Sequence, residues 1–278
     1  MSTILFPTDF SGYSENAFQY ILHFADKLRA KIVFLHVIQK DSEKKSPTKK
    51  TSTSRSDMHK KTVQLMHELK FRSAEFAFKQ DCEIVTEHLI TEGNVVDEIL
   101  KAADKLNPLM IALSTNSYNT RTSMHVGNTT ATVVKRSKFP VLVIPEHAFY
   151  KQVNNIALAT ELDEKDEQLI YKLLITAALF KARLHVFHVE EKKSKGAMQV
   201  VDYLKLVFKY PLQIEKLSIE TLQSKAVATG IERYVKQHAI DLLCMENHKA
   251  FFPEIIDIKA DERKKFHELI PTLVYYVE

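Results

Sequence analysis

Between the apolar run Leu109–Leu113 and the later run FPVLVIP stand Ser114, Ser117 and Gly127, spaced Ser-x2-Ser-x9-Gly and followed by Asn128, Thr129 and Thr130. Hydroxyl donors and a glycine ahead of a helix start form a binding set and not a catalytic one. Asp9 is the other candidate. It follows the apolar segment ILFPT, and strand-end positions of open α/β sheets face the ligand crevice. Motifs of efficient catalysis are missing: the chain has no Gly-x-Ser-x-Gly elbow, no Walker lysine loop and no Gly-x-Gly-x-x-Gly. His59, His67 and His88 lack zinc spacing, and Cys82 and Cys244 have no neighbour at metal-ligand distance in sequence. No catalytic residue and no metal site is therefore expected.

The elements that must position these groups alternate between two periodicities. Ile4–Pro7 reads as a buried strand, and Ser14 as the cap of a helix carrying Phe18, Ile21, Leu22, Ala25 and Leu28 at the 3.6-residue period. Lys31–Ile38 is the next strand, Met58–Lys79 a helix and Glu83–Ile90 a strand. Gly93-Asn94 marks a turn, Val95, Val96, Ile99, Leu100 and Ala103 form one helical face, and Asn107-Pro108 stops that helix before LMIAL resumes the sheet. Alternating strand and helix implies a parallel sheet.

The second half repeats this plan. Thr8-Asp9 corresponds to Thr160-Glu161, and Ala30 through His36-Val37 to Ala182 through His188-Val189, at an offset of 152. Ile99 then matches Ile231 at 132, and Pro140-Val141-Leu142 matches Pro271-Thr272-Leu273 at 131. The lost residues lie where the first copy carries a Ser/Thr/Lys-rich insertion. Two copies, each long enough for its own core, make a pair of domains, 1–147 and 152–278, joined near Glu146–Gln152. The matching His36 and His188 are explained by the duplication, and Asp163, Glu164, Asp166 and Glu167 by a helix dipole.

The net charge of +4 is local: residues 40–61 hold +5, leaving the remainder at −1. The basic insertion 40–60 reads as a solvated loop, and a broad nucleic-acid footprint is not expected. The two unpaired cysteines, the absence of a signal-peptide pattern and the absence of a long apolar run point to a reducing cytoplasmic setting and no membrane contact.

The segments ILFPTDFS and AKIVFLHV, the turn Glu92-Gly93 and the stretch from Ser114 through FPVLVIP resemble the universal stress protein family, whose phosphate loop reads Gly-x2-Gly-x9-Gly-Ser/Thr. The likeness covers nearly the whole chain as two copies. It implies two tandem Rossmann-like α/β domains of the adenine nucleotide alpha hydrolase type, each a five-stranded parallel sheet flanked by helices. It also implies that the last strands, FPVLVIP and TLVYYV, pair to make a pseudo-two-fold dimer within one chain. By the same resemblance ATP or AMP, with Mg, binds at the strand ends. Pro7, Thr8 and Asp9 then lie beside the ribose and phosphates, Val37 lies against the adenine, and Ser114, Ser117, Gly127, Asn128 and Thr129 surround the triphosphate.

Backbone N–H groups at a helix start attract phosphate, and glycine lets the main chain approach closely. Here serine replaces two of the three glycines. Where those positions need left-handed φ, each replacement costs on the order of 1–2 kcal/mol. In the second domain the equivalent stretch, Glu246 through Ile256, has no glycine and starts with a carboxylate, and Glu161 replaces Asp9, so no nucleotide is expected there. Two readings stand: a non-enzymatic regulatory module with nucleotide in the first domain, or a nucleotide-free scaffold acting through a protein partner. Both are compatible with a monomer or a homodimer.

Overall fold

A computed structural model describes residues 1–39, 55–115, 128–146, 148–162, 166–191, 195–208, 216–247 and 270–276. Most of the basic insertion thus lies outside the described residues. The first half runs β1 (Thr3–Pro7), α1 (Gly12–Leu28), β2 (Lys31–Ile38), α2 (Arg55–Gln80), β3 (Thr86–Glu92), α3 (Val95–Leu106), β4 (Met110–Thr115), α4 (Asn128–Arg136) and β5 (Val141–Pro145). The second runs β6 (Asn155–Ala159), α5 (Asp166–Phe180), β7 (Arg183–Glu190), α6 (Lys195–Val207), β8 (Leu217–Gln223), α7 (Val227–Gln237), β9 (Leu242–Glu246) and β10 (Thr272–Tyr275).

The strands form one sheet in the order β3-β2-β1-β4-β5-β10-β9-β6-β7-β8. Each set of five is parallel within itself. The halves meet at β5 and β10, which run antiparallel with Leu142 opposite Leu273 and Val141 opposite Val274. Each closes the other's open edge. The expected pairing of the last strands is therefore present, and the whole is a ten-stranded sheet built around a pseudo-two-fold axis.

Alternation along the strands separates two cores. Ile4, Phe6, Ile32 and Phe34 face α1, α2, α5 and α6, whereas Leu5, Val33, Leu35 and Val37 face α3, α4 and α7. The first core is continuous across the axis, where Phe24 of α1 packs on Phe180 of α5 with ring centroids 4.9 Å apart. The link between halves is tied down: the Tyr20 hydroxyl donates to Phe149 O at 3.0 Å, and His23 stacks on Tyr150 at 3.7 Å.

Two local expectations need correction. Helix α1 begins at Gly12, with Ser11 in extended conformation at its N-cap, so Ser14 lies inside the first turn and does not cap it. Its hydroxyl goes instead to the Asp9 carboxylate. Strand β3 occupies Thr86–Glu92, later than Glu83–Ile90, because Val85 O and its successors are the atoms that pair with β2.

Candidate functional site

A cleft of about 480 Å³ opens at the carboxyl ends of β1, β2 and β4. Pro7, Thr8 and Asp9 enter it from β1, and Leu35, His36, Val37 and Gln39 from the end of β2. Leu113 and Ser114 close it from β4, Thr129 and Thr130 from the start of α4, and Val95 and Ile99 from α3. Ser11 and Ser14 contribute from the start of α1. Three helices thus direct their N-terminal turns at one space, an arrangement that favours an anionic ligand.

The β1–α1 corner is held by its own side chains. Thr8 Oγ1 accepts from the Phe10 N–H at 3.0 Å, and Phe10 adopts left-handed φ of 59°. Asp9 Oδ1 accepts from the Ser11 N–H at 3.0 Å and the Ser14 hydroxyl at 2.9 Å. The cleft walls partly desolvate this carboxyl, which opposes its charge, but the bonds from Ser11 and Ser14 prevail and hold its pKa below the ordinary value. Asp9 is an anion at neutral pH and lines the cleft.

His36 joins β2 to this corner, Nδ1 lying 2.8 Å from Thr8 O. A carbonyl only accepts, so Nδ1 carries the proton. His188 repeats the bond to Thr160 O at 2.8 Å in the second half. Across the cleft, Thr130 Oγ1 donates to Ser114 O at 3.3 Å and so ties α4 back to β4.

Of the residues predicted to form the site, Pro7, Thr8, Asp9, Val37, Ser114 and Thr129 line this one cleft. Asn128 is the first residue of α4. Ser117 and Gly127 lie outside the described residues. Ser11, Ser14, Gln39, Val95 and Ile99 were not predicted as lining. For the two serines a signal existed: Asp-x-Ser after a strand is the pattern of a side chain that caps its own turn. A further hollow of about 400 Å³ continues past Gln39, Val95 and Thr129 to Gly93 and Asn94. Gly93 has φ of 156°, and a Cβ there would sit 3.1 Å from Glu98 Cγ, which accounts for glycine at this turn.

Among the described lining residues the ionisable groups are Asp9 and His36, with no lysine or arginine. No group of three potential metal ligands occurs among the described residues. Among the described lining residues, those that could meet a phosphate offer N–H groups and hydroxyls.

The second half keeps the corner and exchanges its parts. Thr160 accepts from the Leu162 N–H at 3.0 Å and donates to Asp166, which stands where Ser14 stands in the first copy. A buried carboxylate, Asp166, thus stands on the helix, while Glu161 keeps an exposed one at the strand end. At the end of β9, Asn247 Nδ2 donates to Val134 O of α4 at 3.0 Å, so this position binds the other half. Asp163, Glu164 and residues 248–256 lie outside the described residues.

Fold, strand-end cleft and duplicated corner define a tandem Rossmann-like α/β protein with a crevice at the switch point of its first sheet. Residues 1–145 match the universal stress protein family, and the chain belongs to that family. A universal stress protein of Methanocaldococcus jannaschii is 27% identical over 150 residues, covering 51% of this chain and 93% of its own. The structure of a universal stress protein from Archaeoglobus fulgidus matches 99% of this chain and 98% of its own, with a TM-score of 0.74 at 18% identity. A Pseudomonas aeruginosa protein matches 99% of this chain and 93% of its own, with a TM-score of 0.62 at 13% identity. At these identities the two structures show likeness of fold. No helix among the described residues is long and apolar enough to cross a membrane.

Proposed function

We propose that this chain is a regulatory binding module whose first unit, 1–147, takes one adenine mononucleotide, ATP with Mg or AMP, while the second unit, 152–278, is a pseudo-site. The observation that carries this reading is the convergence of Pro7, Thr8, Asp9, Val37, Ser114 and Thr129 on one cleft of about 480 Å³, within the range of small-ligand sites. Val37, Ile99 and Leu113 offer an apolar wall for a base. The Asp9 carboxylate suits a ribose hydroxyl, and Ser114, Ser117, Gly127, Asn128 and Thr129 are assigned to the phosphates. Among the described residues the lining offers hydroxyl and N–H donors without a metal cage, which suits binding. Free Cys82 and Cys244 accord with a reducing cytoplasmic setting.

Calorimetric titration of nucleotide-free protein with Mg-ATP and with AMP tests the reading, alongside Asp9→Ala and Thr129→Val. A stoichiometry near one is expected, with Asp9→Ala weakening affinity about tenfold or more, the consequence of losing a charged hydrogen bond. Ser114 in place of the family's glycine favours the second reading, a nucleotide-free scaffold that acts through a protein partner. A silent titration together with no thermal stabilisation by nucleotide would overturn the nucleotide reading and move the search to protein partners.

A further inference from the structure

The two helical layers differ on their outer surfaces. Among the described residues, the nine exposed large apolar side chains borne by helices all lie on α2, α5 and α6, and none on α3, α4 or α7. On α2, Phe78 is 89% and Phe71 72% exposed, with the small Ala74 between them. On α5, Tyr171, Ile175 and Leu179 form a ridge at four-residue spacing, and Ile175 is 65% exposed. The outer face of α5 carries this ridge beside the exposed Gln168 and Lys172, so it is more apolar than an ordinary solvent face without being wholly so. On α6, Tyr203 and Leu206 extend the face.

These helices lie side by side. The Arg72 guanidinium of α2 sits over the Phe18 ring of α1 at 4.7 Å, Phe24 of α1 meets Phe180 of α5, and Tyr171 of α5 meets Phe208 after α6 at 4.9 Å. The layer order is therefore α2-α1-α5-α6, symmetric about the contact between α1 and α5. The exposed apolar side chains do not follow that symmetry, since α1 carries none and α5 three, but an apolar patch of any outline can meet its own copy isologously about a two-fold axis.

We propose that the outer face of this layer is the contact surface for a second copy of the chain. Nine side chains of roughly 200 Å² each, a little over half exposed, present on the order of 1,000 Å², more than the ~800 Å² each partner gives to a standard interface. Phe71, Ala74 and Phe78 follow the three-and-four spacing of a helix-packing seam, the small alanine allowing close approach. Glu68 and Glu75 occupy the same stripe as the two phenylalanines, which an anionic lipid surface disfavours. The chain's own segment 40–54 holds no large apolar residue with which to cover the face.

Sedimentation equilibrium and light scattering across a concentration series test this on the full chain, with Phe78→Glu and Ile175→Glu alongside. The expected result is a dimer of about 64 kDa, twice the 32.0 kDa chain, with each variant weakening association at least roughly 30-fold, as loss of an interface hot spot does. Hydrogen exchange of the unaltered protein gives a second readout. Amides of α2 and α5 should become more protected as concentration rises, and those of α3 and α7 should not. A chain that stays monomeric throughout, a dimer indifferent to both substitutions, or monomers that bind phosphatidylserine vesicles through these residues would each overturn the proposal.

Discussion

Tyr234 of α7 lies flat against Phe187 of β7, ring centroids 3.9 Å apart and planes within 6°. The matching positions of the first half hold Ala102 and Leu35. The second copy has thus filled with a stacked pair the layer that the first fills with aliphatics. Tyr234 is 2% exposed and gives its hydroxyl to Glu220. Tyr234→Ala is expected to lower stability by about 3–5 kcal/mol, the usual cost of deleting a buried aromatic ring. Tyr234→Phe should cost about 1 kcal/mol. Urea unfolding followed by circular dichroism measures both, and equal losses would contradict the assignment to ring packing.

The same helix approaches the sheet closely at Gly230. A Cβ there would fall 2.5 Å from Val189 Cγ1 and 3.0 Å from Ser224 Cβ. Alanine usually strengthens a helix interior relative to glycine by up to about 1 kcal/mol, but overpacking costs about 1–3 kcal/mol. Gly230→Ala is therefore expected to lower the thermal midpoint. A raised midpoint would show that α7 can shift outward freely.

His185, beneath this pair, is buried between β6, β8 and α7. Its Nε2 faces Asn155 Oδ1 at 3.4 Å, and Nδ1 lies 3.2 Å from Ser218 Oγ and 3.5 Å from the Tyr234 hydroxyl. Burial, then the neighbouring His238, pushes its pKa below the ordinary value, with Glu220 opposing and Arg183 adding a smaller push downward. The unfolded chain consequently takes the proton more readily. Stability should be intact above about pH 6.5 and decline as pH falls below it. His185→Val, which restores the Val33 of the first copy, should reduce this loss between about pH 7.5 and 5.5. It should not abolish it, since burial also lowers the pKa of His23 and His88. Denaturant titrations at the two pH values provide the comparison.

Asp9 responds in the opposite range. Its carboxyl is held low by Ser11 and Ser14 despite partial desolvation. The stability it contributes is present above the unfolded carboxyl value near pH 4 and is lost as pH falls through the folded value. Ser14→Ala removes one of the two bonds to Oδ1. It should raise the Asp9 pKa and cost about 1 kcal/mol at neutral pH, a shift that carboxyl-carbon NMR titration would detect. An unchanged midpoint would mean that Ser11, through its hydroxyl and N–H, holds the charge without Ser14.

Strand identity and the duplication were legible because they rest on apolar periodicity and on repeated words such as FLHV and VFHV, whereas the meeting of the last strands was legible only through the family resemblance. The cleft was legible where a residue sits at a strand end, as Thr8, Asp9 and Ser114 do. Val95 and Ile99 could be recognised only as core-facing positions of a helix, since nothing local distinguishes an apolar residue facing a sheet from one facing a cavity. The exchange of Ser14 for Asp166 was hidden for a related reason. Each residue is ordinary in a first helical turn, and its meaning depends on a partner earlier in the chain, Asp9 five residues before Ser14 and Thr160 six before Asp166. The aromatic filling around Tyr234 escaped notice because stacking depends on tertiary distance and not on spacing.

The antiparallel seam between β5 and β10 also has a thermodynamic consequence. Were the halves separate chains, that contact would obey mass action and dissolve on dilution. Joined by the short link around Phe149 and Tyr150, the halves meet at a high effective concentration set by the tether alone. Their pairing is independent of how much protein a cell makes. The second half therefore shields the β5 edge of its neighbour at any dilution, a resident chaperoning surface for the half in which the cleft of Asp9 and Ser114 lies.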